Sequence, residues 1–248
     1  MANSQSPQPR HLPLTASDLL LILILGLGSA RFLLPAIAAM FDLRALVAGD
    51  HRVSVVMTML ALQTLLLLFV VYLVAVRWRG VTWQELGLVP LPRIWGGRAV
   101  AIAMLSFPLM GAVSWVQQQI VREEFRNPQL TAMAPSEFSW AAYLGTLAVA
   151  GLLAPLVEEI VFRGLLYRWI RERYGFVVGV IGSALAFSLL HGIAGLIPAI
   201  ALLGAILAWT YERAQSIWAP VILHGTYNAV VTTVLYAALA QGIKPPGM

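Results

Sequence analysis

Long runs of hydrophobic residues, separated by short polar segments, dominate this chain. A run of about 20 apolar residues at a rise of 1.5 Å per residue crosses the hydrocarbon core of a bilayer. The pattern predicts an all-α fold, a polytopic membrane helix bundle of about seven transmembrane helices. The predicted spans are Leu19 to Phe41, Val53 to Val76, Ala99 to Gln117, Ala141 to Ile170, Gly175 to His191, Ile193 to Trp209 and Ile217 to Ala240.

The segments between these spans are too short to hold a folded soluble module. Residues 1–248 are therefore expected to form a single integral membrane domain with a polar N-terminal tail at 1–17. The fifth and sixth spans are separated only around Gly192, so their boundary is the least defined. Seven spans put the C-terminus on the side opposite the N-terminus, and an eighth span would reverse this.

The composition agrees with a bilayer environment. Hydrophobic residues make up 60% of the chain and charged residues only 11%, against roughly 25% charged in soluble domains. The mean hydropathy is +0.82. The chain has no cysteine, so disulfides, thiolate metal sites and cysteine nucleophiles are excluded.

The net charge of +5 comes from sixteen basic and eleven acidic residues. The arginines cluster between the spans, where basic residues orient membrane proteins, so we expect a lipid bilayer as partner and no nucleic acid. The N-terminal side is predicted to be cytoplasmic, and the arginine bias and compact loops fit a prokaryotic inner membrane. That side holds Arg10, Arg77, Arg79, Arg93, Arg98, Arg168, Arg171, Arg173 and Arg213, against Arg44, Arg52, Arg122, Arg126 and Lys244 on the other.

Four ionisable residues lie deep in apolar sequence: Glu158, Glu159, His191 and His224. Each such residue costs about 2.5 to 3.5 kcal/mol on insertion scales, which makes it a candidate for function. The structural alternatives are that the glutamates begin a cytoplasmic helix end and that the histidines only form hydrogen bonds between helices.

The glutamates belong to the segment Glu158-Glu159-Ile160-Val161-Phe162-Arg163. On a helix, residues four apart share a face, so Glu159 is predicted to pair with Arg163. Glu158 lies roughly 140° from Arg163 around the helix and is left available for chemistry.

Two further polar points have the same spacing. Phe187 precedes His191 by four residues, which stacks an aromatic ring near the imidazole, and His224 precedes Asn228 by four residues on another span. The imidazole of His224 and the amide of Asn228 can both donate hydrogen bonds, so together they are suited to hold an oxygen anion.

The combination of Glu158-Glu159-x3-Arg163, Phe187-x3-His191 and His224-x3-Asn228 resembles the CPBP family, which contains CAAX prenyl endopeptidases and bacteriocin-processing or Abi proteins. The segment Glu85-Leu86-Gly87-Leu88 is similar to a short element that often precedes the family's core. The resemblance covers about Gln84 to Val234.

The resemblance implies an intramembrane glutamate-dependent endopeptidase acting on a membrane-associated and, in one version, prenylated CAAX-type substrate. Glu158 with His191 would activate water, and His224 with Asn228 would stabilise the oxyanion. Glu159, Arg163 and Phe187 would support these residues. Because water must reach the glutamate, the bundle is expected to enclose a conical or open cavity.

Three alternatives remain open. Two histidines and a glutamate can bind zinc, but the chain lacks His-Glu-x-x-His, so we predict no metal and no cofactor, with zinc as the second interpretation. The chain could also be a non-catalytic binding partner, such as a bacteriocin-immunity protein, which would use the same helices for binding and would not hydrolyse a substrate. A small transporter would use the same groups as a proton relay.

Overall fold

The structure, a computed structural model, describes residues 11–40, 51–121 and 127–243. Within these ranges every regular element is helical, which confirms the predicted fold class. Residues 1–10 of the predicted polar tail lie outside the described part of the chain. Five basic residues used to predict the orientation also lie outside it: Arg10, Arg44, Arg122, Arg126 and Lys244.

The described residues form nine α-helices. Three further segments are π-helical and continue directly from an α-helix. The π-helical segments are Tyr72–Trp78, Val149–Leu153 and Ile160–Tyr167, and a short 3₁₀ turn covers Ala194–Leu196. The α-helices are α1 (Ala16–Met40), α2 (Arg52–Val71), α3 (Arg93–Val121), α4 (Pro128–Met133), α5 (Trp140–Ala148), α6 (Ala154–Glu159), α7 (Arg168–Leu190), α8 (Ile197–Ala214) and α9 (Trp218–Ala240).

Five helical runs in the described ranges are long and apolar enough to cross a membrane. They are Arg52–Trp78, Arg93–Ile120, Trp140–Leu190, Ala194–Ala214 and Trp218–Ala240, and the apolar start of α1, Ala16–Gly26, adds a shorter one. This helical content, together with the exposed apolar side chains, makes the chain an integral membrane protein.

The run Trp140–Leu190 contains two of the predicted spans. Its 51 residues would form a straight helix of about 75 Å, far longer than a bilayer is thick. Gly175 breaks the run, with φ 86° and ψ 175°, a conformation that L side chains rarely adopt. The fourth and fifth predicted spans therefore meet at this glycine, and Gly192, with φ 69°, separates the fifth from the sixth.

The predicted helix ends are less accurate than the spans themselves. Helix α3 runs from Arg93 to Val121, beyond the predicted Ala99 to Gln117, and α8 continues past Trp209 to Ala214. Polar residues at a membrane surface lower the local hydropathy without ending the helix, since the backbone hydrogen bonds continue into the headgroup region.

Close helix contacts position the elements that carry the predicted site. Helix α7 packs along α8, and α9 packs on α3 and on the π-helical segment Val149–Leu153. Small residues allow these approaches: a Cβ on Gly204 would lie 3.1 Å from Ala184 Cα, and one on Gly225 would lie 2.7 Å from Gly151 O.

A tight turn between α2 and α3, residues 82–89, is anchored to the helix bundle by burial and by hydrogen bonds. Leu86 is fully buried, and the carbonyl of Gly87 accepts a hydrogen bond from Ile217 N at 2.8 Å, just before α9. The Arg168 side chain donates to the carbonyl of Glu85. The predicted motif Glu85-Leu86-Gly87-Leu88 thus joins the start of α7 to the start of α9.

Three of the described basic residues, Arg79, Arg168 and Arg173, lie at one end of the bundle. Arg79 pairs with Asp18 at 2.8 Å, and Arg168 pairs with Glu172 at 2.7 Å. Residues 11–15 lie at the same end, because Leu12 N donates to Glu172 at 2.8 Å and Trp169 Nε1 donates to Leu14 O at 2.8 Å.

Candidate active site

The predicted glutamates lie at the end of α6, between two π-helical segments. A π-helix leaves carbonyls without their usual intrahelical partner, and such segments are frequent at functional sites. Asn228 Nδ2 donates to Ala150 O at 2.9 Å on the preceding π-helical segment. Ser183 Oγ donates to Phe162 O at 3.2 Å on the following one. The glutamate helix is therefore held from α9 and from α7.

Glu159 and Arg163 form a fully buried ion pair. Arg163 Nη1 donates to Glu159 Oε1 at 2.9 Å, and both side chains have 0% exposure. The other guanidinium nitrogen, Nη2, donates to Gly204 O at 3.0 Å on α8. The predicted i,i+4 pair is confirmed, and Glu159 and Arg163 both lie in the protein interior.

Glu159 has a second partner that the sequence did not predict. His224 Nδ1 lies 2.8 Å from Glu159 Oε1, so the same oxygen accepts from Arg163 and from the imidazole. His224 Nε2 then faces Glu158, at 3.8 Å from its Oε2. The contact joins residues 65 positions apart, and no local spacing indicates it.

Phe187 lies among the charged and imidazole groups. Its ring centroid is 4.5 Å from that of His191 and 5.7 Å from that of His224, both edge-on. The Arg163 guanidinium carbon lies 4.6 Å from the same ring centroid, a cation–π distance. Phe187 thus separates the buried ion pair from His191 and contacts both histidines.

His191 lies at the C-terminal end of α7. Its Nδ1 is 2.7 Å from Phe187 O, one turn earlier, so Nδ1–H donates to that carbonyl and Nε2 is left for other contacts. Gly192 follows with φ 69° and ends the helix. The ring orientation of His191 is therefore fixed by its own helix.

One cavity of about 570 Å³ brings the four predicted catalytic residues together. Glu158, His191, His224 and Asn228 all line it, and Glu158 is 26% exposed while Glu159 is fully buried beneath it. The structure thus places the predicted general base at the cavity surface and its neighbour in the protein interior. Phe187 lines the cavity, whereas Arg163 does not.

The sequence did not predict the contribution of the N-terminal half to this cavity. Helices α2, α3 and α4 supply part of its wall, through residues that include Gln63, Phe107, Ser114 and Gln129. Gln63 is the single amide side chain in the apolar sequence of α2, and this was the sequence signal that could have indicated this wall.

The zinc interpretation requires two histidines and a carboxylate to converge on one point. Among the described residues, no three side chains of His, Asp or Glu form a cluster that could hold a metal ion. His191 Nδ1 and His224 Nδ1 both have protein partners, which leaves one ring nitrogen on each. The absence of a cofactor remains a prediction.

Residues 138–230 match the family described as Type II CAAX prenyl endopeptidase Rce1-like. The chain is also 25% identical to the Bacillus subtilis (strain 168) protein named "Putative membrane peptidase YdiL" over 143 residues, which are 58% of this chain and 56% of that protein. The chain thus spans little more than half the length of this curated relative. No solved structure gives a significant match. The matched residues contain the three motifs, and these findings confirm the predicted resemblance.

Proposed function

We propose that this chain, whose residues 138–230 match the Rce1-like family, is an intramembrane glutamate-dependent endopeptidase. Its substrate would be a membrane-associated peptide or protein, and a prenylated CAAX-type peptide is one such substrate. The supporting observation is the convergence of Glu158, His191, His224 and Asn228, from three separate helical segments, on one cavity.

In this proposal Glu158 acts with His191 as the base. A water molecule between them loses a proton to Glu158, and its oxygen bonds to the carbonyl carbon of the substrate. The carbon–nitrogen bond then breaks, and the proton passes from Glu158 to the leaving amine. The exposure of Glu158 to the cavity, beside a fully buried Glu159, supports this division of roles.

His224 and Asn228 would stabilise the oxyanion. Asn228 uses one amide hydrogen to bind Ala150 O, and its second amide hydrogen is available to the substrate. His224 donates from Nε2 when both ring nitrogens carry hydrogen, and its positive charge then lies between Glu159 and Glu158. Glu159 and Arg163 would fix these groups without contacting the substrate.

The first experiment is cleavage of a quenched peptide library, including farnesylated CAAX peptides, by detergent-purified protein. Wild type, Glu158→Gln and His191→Ala are compared with Glu137→Gln, an exposed glutamate that does not line the cavity. We expect cleavage by wild type and Glu137→Gln only. If wild type cleaves no peptide, and Glu158→Gln matches wild type in a cellular assay, the non-catalytic binding partner becomes the better hypothesis.

The zinc alternative has its own test. Purified wild-type protein is analysed for total metal and assayed before and after dialysis against a chelator. We expect cleavage to survive chelation, because the proposed base and oxyanion donors are all side chains of the protein. A stoichiometric zinc content that is lost together with activity would favour the metal mechanism.

We also propose that the chain forms a single membrane domain in a prokaryotic inner membrane, with the N-terminus in the cytoplasm. The gathering of Arg79, Arg168, Arg171 and Arg173 near residues 11–15 at one end of the bundle supports this orientation.

A further inference from the structure

The catalytic cavity has a polar wall that lies outside the family-matched residues 138–230. Helices α2 and α3 and the start of α4 contribute neutral polar side chains to it, namely Gln63, Ser114, Asn127 and Gln129. These groups carry no charge, whereas the matched segment contributes the ionisable residues Glu158, His191 and His224 to the same cavity. The amide of Gln63 is the one placed within a membrane span.

Gln63 is unusual for its helix. After Arg52, α2 contains no charged residue, and Gln63 is its single amide side chain. Gln63 is only partly buried and lines the cavity, so its amide is accessible from there. Neighbouring Thr64 satisfies its hydroxyl by donating to Leu60 O at 2.8 Å, whereas the described residues provide no hydrogen bond for the Gln63 amide.

The direction of Gln63 is set by the helix. Leu60 and Gln63 are three residues apart on one face, and both line the cavity. Leu62 and Leu65, on either side in sequence, are each 49% exposed on the outer surface. Gln63 therefore turns a polar group towards the cavity from a helix on which Leu62 and Leu65 point outwards.

The wall formed by α2 adjoins the catalytic helix. Helix α2 packs against α6, which ends in Glu158 and Glu159, and against the π-helical segment that contains Ala150. Asn228 reaches that same segment from α9. Glu158, Asn228 and Gln63 therefore line the same cavity from three different helices.

A peptide substrate entering this cavity brings polar groups that must be paired. Each peptide unit has one N–H donor and one C=O acceptor, and apolar wall residues such as Leu60, Met110 and Leu203 can pair with neither. A glutamine side chain carries both a donor and an acceptor in the geometry of a peptide group. It can therefore form two hydrogen bonds with one peptide unit.

We propose that Gln63 binds the main chain of an extended polypeptide substrate, pairing with one peptide unit next to the bond that is cut. The inference deepens the proposed function, because it takes the cavity to be the substrate site. Recognition through the main chain is independent of substrate side chains, so Gln63 contributes equally to the binding of peptides of different sequence.

The test measures binding without cleavage. The protein carries Glu158→Gln, and the probe is a dansylated, C-amidated pentapeptide of alternating alanine and leucine, titrated by fluorescence. A second set of probes replaces each peptide bond in turn with an ester, which removes one N–H donor. Gln63→Leu is compared with Gln118→Leu, because Gln118 is an exposed glutamine on α3 that does not line the cavity.

We expect Gln63→Leu to weaken binding of the amide probe about 3- to 10-fold, the range of one net hydrogen bond, and Gln118→Leu to leave it unchanged. At one position the ester should weaken binding to the Gln63 protein but not to Gln63→Leu. A probe with leucine and alanine exchanged should show the same effect.

Three results would overturn the inference: equal binding by Gln63→Leu and Gln118→Leu, ester effects that are the same with and without Gln63, or no binding of the amide probe by the parent protein. The ester comparison also separates a lost hydrogen bond from a change of cavity shape. Gln63-dependent binding alongside a wild-type protein that cleaves nothing would contradict the proposed hydrolysis, while the binding of a peptide main chain by Gln63 would still stand.

Discussion

Glu159 is the residue on which the buried polar network depends. Its Oε1 accepts from Arg163 and from His224, so one carboxylate oxygen connects α6, the following π-helical segment and α9. Arg163 extends the network to Gly204 O on α8. Removing one partner from a buried ion pair leaves an uncompensated charge in a medium of low dielectric constant.

We therefore expect Arg163→Met to lower the free energy of unfolding by about 3 to 5 kcal/mol. The measurement is reversible unfolding in detergent, with Arg213→Met as the control, because Arg213 is exposed at the end of α8 and contacts only the Trp209 ring among the described interactions. The double variant Glu159→Gln with Arg163→Met should regain part of the loss, since it removes both charges. Equal stability of the two single Arg variants would contradict the structural role of the pair.

Some contacts of the site residues could be predicted from the sequence and others could not. The pairing of Glu159 with Arg163 and the contact of Phe187 with His191 were predictable, because each joins residues one helical turn apart. The hydrogen bond from His224 to Glu159 and the position of Gln63 on the cavity wall were not. Both depend on which helices become neighbours, and that is fixed by the packing of the whole bundle.

At the scale of elements, the turn of residues 82–89 contacts both the π-helical segment Ile160–Tyr167 and the start of α9. Gly164, one residue after Arg163, lets the carbonyl of Leu86 approach its helix: an added Cβ would lie 2.6 Å from that oxygen. The neighbouring Gly87 carbonyl binds Ile217 N before α9. The turn therefore links the helix of the glutamates to the helix of His224.

We expect Gly164→Ala to lower the free energy of unfolding by about 1 to 3 kcal/mol, the usual cost of overpacking. Gly145→Ala is the matched control, since an added Cβ at this helical glycine meets nothing within 4 Å. Thermal unfolding in the same detergent compares the two. Similar unfolding temperatures for both variants would contradict the close contact between Leu86 O and the helix at Gly164.

The spans were predictable because bilayer thickness fixes the length of an apolar helix. The π-helical segments on either side of α6 were not, since the sequence of Val149–Leu153 is equally compatible with an α-helix. They form where side chains from other helices bind the freed carbonyls, as Asn228 does at Ala150. The helix ends were also missed, because hydropathy falls before the helix stops.

At the scale of the whole molecule, the fold makes a prediction about topology. Gln84 lies in the turn between α2 and α3, and Gln241 follows α9. Five predicted spans separate these positions, provided that Gly175 divides the run Trp140–Leu190 into two passes. The two residues should therefore lie on opposite sides of the membrane.

The absence of cysteine makes this prediction directly measurable. A single cysteine is introduced at Gln84 or at Gln241, both exposed, and intact bacterial cells are treated with a membrane-impermeant maleimide. We expect labelling of Gln241→Cys in intact cells and of Gln84→Cys only after lysis. Labelling of both from the same side would contradict the division at Gly175, and the reverse pattern would contradict the proposed orientation.

The most direct test of the proposed function is the turnover number of Glu158→Gln on the best peptide cleaved by wild type, measured beside Glu137→Gln. Glutamine keeps the size of the side chain and removes the base, and general base catalysis contributes about 100- to 10,000-fold. We predict a fall in kcat of at least about 100-fold for Glu158→Gln, with Glu137→Gln equal to wild type. A Glu158→Gln protein that retains wild-type kcat would contradict the assignment of Glu158 as the base.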